Sequence, residues 1–334
     1  MLNTIVQKKL NGSPELSALH GEMTAALSEM ERRLREMTRS GVSALEQNVA
    51  RMVTSGGKRL RPILAYLSWR CAGREEYEII PLMVMLELMH TASLIHDDVV
   101  DRSDERRGVI TIHRLLGEHG AVQCGDFLLG RAMELLHLYR GTGVNETLSE
   151  TSVEMCLGEL MQLNAAFSLE GQSEERYYLQ IKRKTAYLLS ASCFTGALAG
   201  GMTAEEAAPL RNYGLELGIA FQLKDDLLDF AAPKCFGKPR GQDLRKGIYT
   251  LPVRYAVERR PDREMRALLE NPEKSEADVS RLISYITGSG ALDYTQRVLE
   301  ESSRRAVEAL AHMEEGPGKM ALAELALALA GRRA

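Results

Sequence analysis

The chain has 334 residues, a formal net charge of −4, 45% hydrophobic residues and five cysteines, enough apolar material for one large domain or two. A balance of 42 basic against 46 acidic residues leaves no cationic excess and excludes a nucleic-acid platform. Cys71, Cys124, Cys156, Cys193 and Cys235 are odd in number and lack CxxC spacing, which argues against a disulfide framework or a zinc site and for buried thiols in a reducing cytosol.

From the start of the chain, Met1 to Leu10 carries Gln7, Lys8 and Lys9 with no apolar stretch behind them, so no secretory signal is visible and a cytoplasmic location is expected. Between residues 15 and 140 apolar positions recur at three and four, and alternating runs of β-branched and aromatic residues are missing. An all-α fold is predicted. Ile79 to Val100 is apolar on every side, as expected of a helix surrounded by other helices. Its most apolar part, Ile79 to Met89, is interrupted by Pro81 and Glu87 and falls short of the about 20 residues that a bilayer span requires. Thr147 with Glu150, and Thr203 with Glu206, have the spacing of capping boxes. Gly141 to Asn145 and Gly171 to Ser173 read as short connections, whereas Pro233 to Tyr249 is long, charged and glycine-bearing, as functional lids often are. No fixed-period repeat or low-complexity linker divides the sequence. Residues 1–334 are therefore expected to form a single domain, with 262–334 a more polar, peripheral helical part.

Two acidic clusters stand at the ends of apolar helical patterns: Asp97-Asp98-Val99-Val100-Asp101 and Asp225-Asp226-Leu227-Leu228-Asp229. Both read DDxxD. At ~1.5 Å rise per residue the first and fifth acids lie about 6 Å apart along the axis on one face. Two such carboxylates repel by roughly 3 kcal/mol at an effective dielectric near 20, and a helix C-terminus adds negative potential. A cation must compensate, and all-oxygen donors favour Mg²⁺, which binds one or two carboxylates together with substrate phosphates. One DDxxD alone reads as a solvated helix end. Two copies embedded in apolar helices favour a metal-diphosphate site.

Basic residues stand where a second anion can be held. In Gly56-Gly57-Lys58-Arg59-Leu60-Arg61-Pro62, ahead of a helical pattern, Lys58 and Arg61 share a face and Arg59 does not. Asp104-Glu105-Arg106-Arg107-Gly108 and Lys182-Arg183-Lys184-Thr185 each read as ordinary solvated charge in isolation. Together with two acidic claws they suit two diphosphates, one bridged through metal and one held by side chains. His96, beside the first claw, is expected to be a satisfied structural histidine.

Over about residues 50 to 260 the sequence resembles the trans-isoprenyl diphosphate synthases, the polyprenyl synthetase family. Both aspartate-rich motifs, GGKRLRP, the Lys184-Thr185 pair and GKPRGQDLRKGIYTLP occur in that family's order. The resemblance implies an isoprenoid-synthase-type helical bundle around a deep central cavity, the two DDxxD motifs facing each other across its mouth, and a homodimer. It implies that Asp97, Asp98, Asp101, Asp225, Asp226 and Asp229 hold Mg²⁺, three ions with substrate bound, against an allylic diphosphate. Lys58, Arg61, His90 and Arg107 match positions for isopentenyl diphosphate; Arg106, Lys184, Thr185 and Gln222 match positions touching the allylic substrate. One position departs, because the family commonly has lysine where Ile248 stands; Lys246 or Arg245 is expected to substitute for it.

The implied reaction is ionisation of the allylic diphosphate and condensation with isopentenyl diphosphate in a dry apolar cavity. Small Ala92 and Ser93 precede the first motif, where short-chain members tend to place large aromatics, with Met89, Met85 and Leu86 deeper along the helix. A long-chain product beyond twenty carbons is expected, from a farnesyl or geranylgeranyl primer, with a short-chain synthase as the alternative. A class I terpene cyclase would carry an NSE-type second motif, and a non-catalytic subunit would be expected to have lost claw residues. An active subunit that needs a small partner remains open, as does peripheral membrane contact for product release.

Overall fold

The computed structural model describes residues 14–331 apart from 42, 55–56, 74–75, 107 and 232–239. The described chain is almost entirely helical: α1 (Pro14–Met37), α2 (Ser43–Thr54), α3 (Leu60–Ala72), α4 (Ile79–Val100), α5 (Ile112–Glu134), α6 (Val144–Ala165), α7 (Glu174–Ile181) and α8 (Tyr187–Ala199) are followed by α9 (Ala204–Asp229), α10 (Gln242–Arg245), α11 (Leu251–Arg259), α12 (Arg263–Glu270), α13 (Glu276–Thr287), α14 (Ala291–Ala309) and α15 (Pro317–Ala330). Among the described residues the only strands are β1 (Glu105–Arg106) and β2 (Val109–Ile110), an antiparallel pair with Glu105 opposite Ile110. The fold is all-α, as its apolar periodicity implies.

Two compact units make up the chain. The first comprises Met1–Leu148, Ser192–Leu210 and Met313–Glu324. Its core is α4, where Leu82, Met83, Met85, Leu86 and Leu88 have no exposed surface. The helix runs over Ile79–Val100 as expected and includes Pro81 and Glu87, the two residues that break its apolar run. Pro81 lies in the first turn, where a missing N–H costs nothing, and Glu87 is buried against Arg59. By length and composition α4 could cross a bilayer, yet 78% of its apolar window is buried inside the protein; packing on every side accounts for its apolarity. Tyr139 anchors its start, the phenolic oxygen accepting from Leu82 N at 2.9 Å and donating to Glu78 O.

The second unit comprises Ser149–Ala191, Arg211–His312 and Leu325–Ala334. Leu244, Tyr249, Val253, Leu269, Val279, Leu282 and Ile286 form a buried cluster, so α11, α12 and α13 share one core with the segment around α10. Buried Tyr249 and Tyr285 each donate to a backbone carbonyl, Leu269 O at 2.7 Å and Ala256 O at 3.0 Å. Their polar tips are thus satisfied inside apolar surroundings.

Helix starts divide the two expected capping boxes. Thr203 and Glu206 form one reciprocally, Thr203 N donating to Glu206 Oε2 at 2.8 Å and Glu206 N to Thr203 Oγ1 at 3.2 Å. Thr147 forms none, because α6 has already begun at Val144 and the Thr147 hydroxyl donates back to Gly143 O at 2.8 Å. Thr142 takes the start instead, its hydroxyl accepting from Val144 N at 3.2 Å. Cys71, Cys124, Cys156 and Cys193 are free thiols; Cys156 is exposed rather than buried, and Cys235 lies outside the described residues.

Candidate active site

In the first unit the GKR turn is built around a buried arginine. Arg59 takes left-handed backbone angles, φ 45° and ψ 35°, and is 6% exposed. Its guanidinium donates to Val53 O at 2.7 Å and pairs with buried Glu87 on α4, with Glu31 at 3.4 Å. This inward turn leaves Lys58 exposed and Arg61 half-buried, the division that helical spacing predicts. His90, half-buried, comes three positions after Glu87 on α4 and so shares its face.

The acids at the end of α4 do not behave alike. Asp98 is 1% exposed and accepts from Arg106 Nε on β1 at 2.7 Å. Asp97 and Asp101, first and fifth of the motif, are half-exposed. Arg106, matched by resemblance to the allylic substrate, thus spends its charge on the middle acid and ties the β hairpin to α4. Arg107 lies outside the described residues. His96 rests in a notch left by Gly125 of α5, where a Cβ would come within 2.2 Å of its ring. Its Nε2 lies 3.3 Å from Val122 O and 3.5 Å from Asp126, as expected of a structural histidine.

In the second unit the other cluster closes α9. Asp225 is exposed and Asp226 is buried. Tyr177 of α7 donates to Asp226 Oδ2 at 2.6 Å and Gln222 Nε2 to its Oδ1 at 3.0 Å; the Thr185 hydroxyl donates to Gln222 Oε1 at 2.8 Å. A continuous chain therefore joins Thr185, Gln222, Asp226 and Tyr177. Burial pushes the Asp226 carboxyl up to about 6 against these donors, and burial together with the charge of Asp226 drives the Tyr177 phenol well above its ordinary value. Asp229 caps α10: its two oxygens accept from Gln242 N at 2.8 Å and Asp243 N at 3.2 Å. Burial and then the charges of Asp229 and Asp226 raise Asp243 to about 8.

Lys184 and Thr185 sit in a π turn, Lys182–Ala186, between α7 and α8. π bulges place side chains that an α-helix would point elsewhere. Two glycines admit this one: a Cβ on Gly158 of α6 would lie 2.6 Å from Lys184 N, and one on Gly218 of α9 would lie 2.5 Å from Ala186 Cα. Lys184 Nζ meets Glu159 Oε2 at 2.5 Å. Sequence reasoning missed Gly158, Glu159, Gly218, Tyr177 and Asp243; glycines inside helical patterns were the signal available for two of them. Both expected replacements at Ile248 have partners: Arg245 donates to Arg240 O at 2.9 Å and pairs with Glu276 at 2.6 Å, and Lys246 interacts electrostatically with Asp243.

Among the described residues no three His, Cys, Asp or Glu side chains converge as a ready-made metal cage. The donor chemistry nonetheless fits a hard divalent ion. Asp97 and Asp101 stand at i and i+4 with surface exposed, and Asp225 is exposed; Mg²⁺ commonly takes only one or two carboxylates and completes its shell with water and phosphate.

Residues 42–286 match the family described as Polyprenyl synthetase. The chain is 33% identical over 305 residues to heptaprenyl diphosphate synthase component 2 of Bacillus subtilis, covering 91% of this chain and 87% of that protein. It is 36% identical over 277 residues to geranylgeranyl diphosphate synthase of Methanosarcina mazei, covering 80% and 81%. A crystal structure of polyprenyl synthase from Caulobacter crescentus, complexed with calcium and isoprenyl diphosphate, shares the fold at a TM-score of 0.88 and 36% identity, covering 95% of this chain and 97% of that one.

Proposed function

Because the chain belongs to the polyprenyl synthetase family of trans-prenyltransferases, we propose that it condenses isopentenyl diphosphate with farnesyl or geranylgeranyl diphosphate to give a long-chain all-trans polyprenyl diphosphate. The observation that carries this reading is that both DDxxD clusters, complete in all six acids, fall inside the matched span. Both units serve this reaction as one catalytic domain.

Mg²⁺, three ions when the site is filled, would supply electrophilic pull on the departing diphosphate. Asp97, Asp98, Asp101, Asp225, Asp226 and Asp229 are the acids that would hold it; Asp97, Asp101 and Asp225 offer exposed surface, while Asp98 and Asp226 are buried. The calcium and isoprenyl diphosphate of the Caulobacter structure support a divalent ion beside a diphosphate. Lys58, Arg61, His90 and Arg107 bind isopentenyl diphosphate; Arg106, Lys184, Thr185 and Gln222 orient the allylic substrate, and Lys246 or Arg245 takes the place of the lysine missing at Ile248. The allylic C–O bond breaks with its electron pair leaving on the diphosphate, where cationic side chains stabilise the growing charge. The isopentenyl double bond attacks the resulting cation, and the released diphosphate takes up the proton whose loss restores an alkene.

The assay that tests this uses the purified chain, Mg²⁺, labelled isopentenyl diphosphate and farnesyl diphosphate. A product beyond twenty carbons is expected on chromatography; only farnesyl or geranylgeranyl diphosphate, the short-chain outcome that the Methanosarcina relative's name favours, would reject the long chain. The Bacillus relative, named a component, supports a second reading in which a small partner subunit is needed. Activity of the chain alone decides between them.

A homodimer is part of the proposal. On α6, Val153, Leu157, Leu160 and Leu163 are 58%, 37%, 60% and 47% exposed at helical spacing, an apolar stripe that a second copy would cover. Leu160→Glu is expected to shift the light-scattering mass toward one chain; an unchanged mass would reject this interface. The free thiols support a cytoplasmic location.

A further inference from the structure

Glu159 has no role in the ionisation or the condensation step. One of its oxygens, Oε2, meets Lys184 Nζ at 2.5 Å. The other, Oε1, is buried with no hydrogen-bond partner. A half-satisfied carboxylate with 17% of its side chain exposed depends heavily on the cation it faces, since an uncompensated buried charge is costly. The backbone of the π turn that carries Lys184 is packed between Gly158, the neighbour of Glu159, and Gly218. Glu159 therefore faces Lys184 at close range, and an anion that recruits the ammonium competes with this carboxylate for its charge.

We propose that Glu159 is a positioning residue that competes with diphosphate for Lys184 and recaptures the ammonium when pyrophosphate leaves. The inference rests on the assignment of Lys184 to the allylic diphosphate. Every condensation releases one pyrophosphate, and a long chain needs several condensations. A cation that held the leaving group without a rival would slow each round, whereas an internal carboxylate lowers the cost of letting go. Binding energy that persists in the product state adds nothing to turnover.

The experiment compares wild type, Glu159→Gln, Lys184→Ala and the double variant, with inorganic pyrophosphate as inhibitor against the allylic substrate at fixed Mg²⁺. Glu159→Gln is expected to tighten the pyrophosphate inhibition constant by about tenfold, the scale of one charge-assisted contact. It should also lower the allylic KM, lower kcat, and give a burst of first condensation before a slower steady state. Lys184→Ala should weaken pyrophosphate, and in its background Glu159→Gln should have no further effect. A merely structural Glu159 would give the opposite signature, a raised KM and weaker pyrophosphate inhibition. Unchanged or weaker inhibition in folded Glu159→Gln overturns the inference while a weakened Lys184→Ala leaves the site assignment standing. Pyrophosphate inhibition that is indifferent to Lys184→Ala overturns the assignment and the inference with it. Should Glu159→Gln fail to fold, Glu159→Asp carries the same comparison, because it keeps the charge but withdraws it by one carbon.

Discussion

Asp97→Asn and Asp225→Asn are each expected to lower kcat by at least about 10²-fold, the scale seen when one preorganised electrostatic partner of a developing charge is removed. Both acids have exposed surface and stand at helix ends, and the amide keeps shape while removing the charge that draws a divalent ion. Little structural damage should accompany the loss, since neither residue is buried. Asp98→Asn should behave differently. Its carboxylate is buried and holds Arg106 at 2.7 Å, so the substitution loosens the β hairpin and lowers the thermal midpoint as well as the rate. Single-turnover assays across a Mg²⁺ titration, paired with thermal melts, separate the two kinds of acid. A kcat for Asp97→Asn within tenfold of wild type would remove Asp97 from the metal site.

Arg59→Ala is expected to cost about 3–5 kcal/mol, because it strands Glu87 in the core without its partner. Glu87 is 4% exposed and sits in the middle of α4, where the apolar neighbours that make the helix central also deny it water. The double variant Arg59→Ala, Glu87→Leu should recover much of that stability, since removing both charges leaves no buried ion to solvate. It should not recover activity: Arg59 holds the left-handed turn that separates Lys58 from the core. Thermal midpoints of the three proteins check the first statement and the isopentenyl diphosphate KM checks the second. A single variant that melts with wild type would mean that the pair is solvated.

The architecture was legible where periodicity is unambiguous. Ile79 to Val100 announced a surrounded helix, and the DDxxD spacing announced outward acids at its end. The difference lies in which acids face outward. Spacing treats the six as equivalent, but Asp98, Asp226 and Asp229 are each claimed by residues that no local pattern reveals: Arg106 across a turn, Tyr177 about fifty positions away, and the amides of α10. Arg59 was set apart from Lys58 and Arg61 by helical geometry alone, yet its partner Glu87 looked like an interruption of an apolar run. Thr147 misled because a hydroxyl can cap a helix or bond back within one, and the choice depends on where the preceding residues begin the helix.

The π turn at Lys182–Ala186 bears on how insertions and deletions are tolerated here. One extra residue accommodated by a widened turn rotates the rest of the helix by ~100° relative to an uninterrupted α-helix. Deleting a single residue from this stretch could restore regular winding with almost no change in circular dichroism, while turning either the lysine or the whole apolar face of α8 through more than a quarter of a circle. Helical content would be preserved and the register lost, so spectroscopic health is a poor guide to whether a variant of this segment still works.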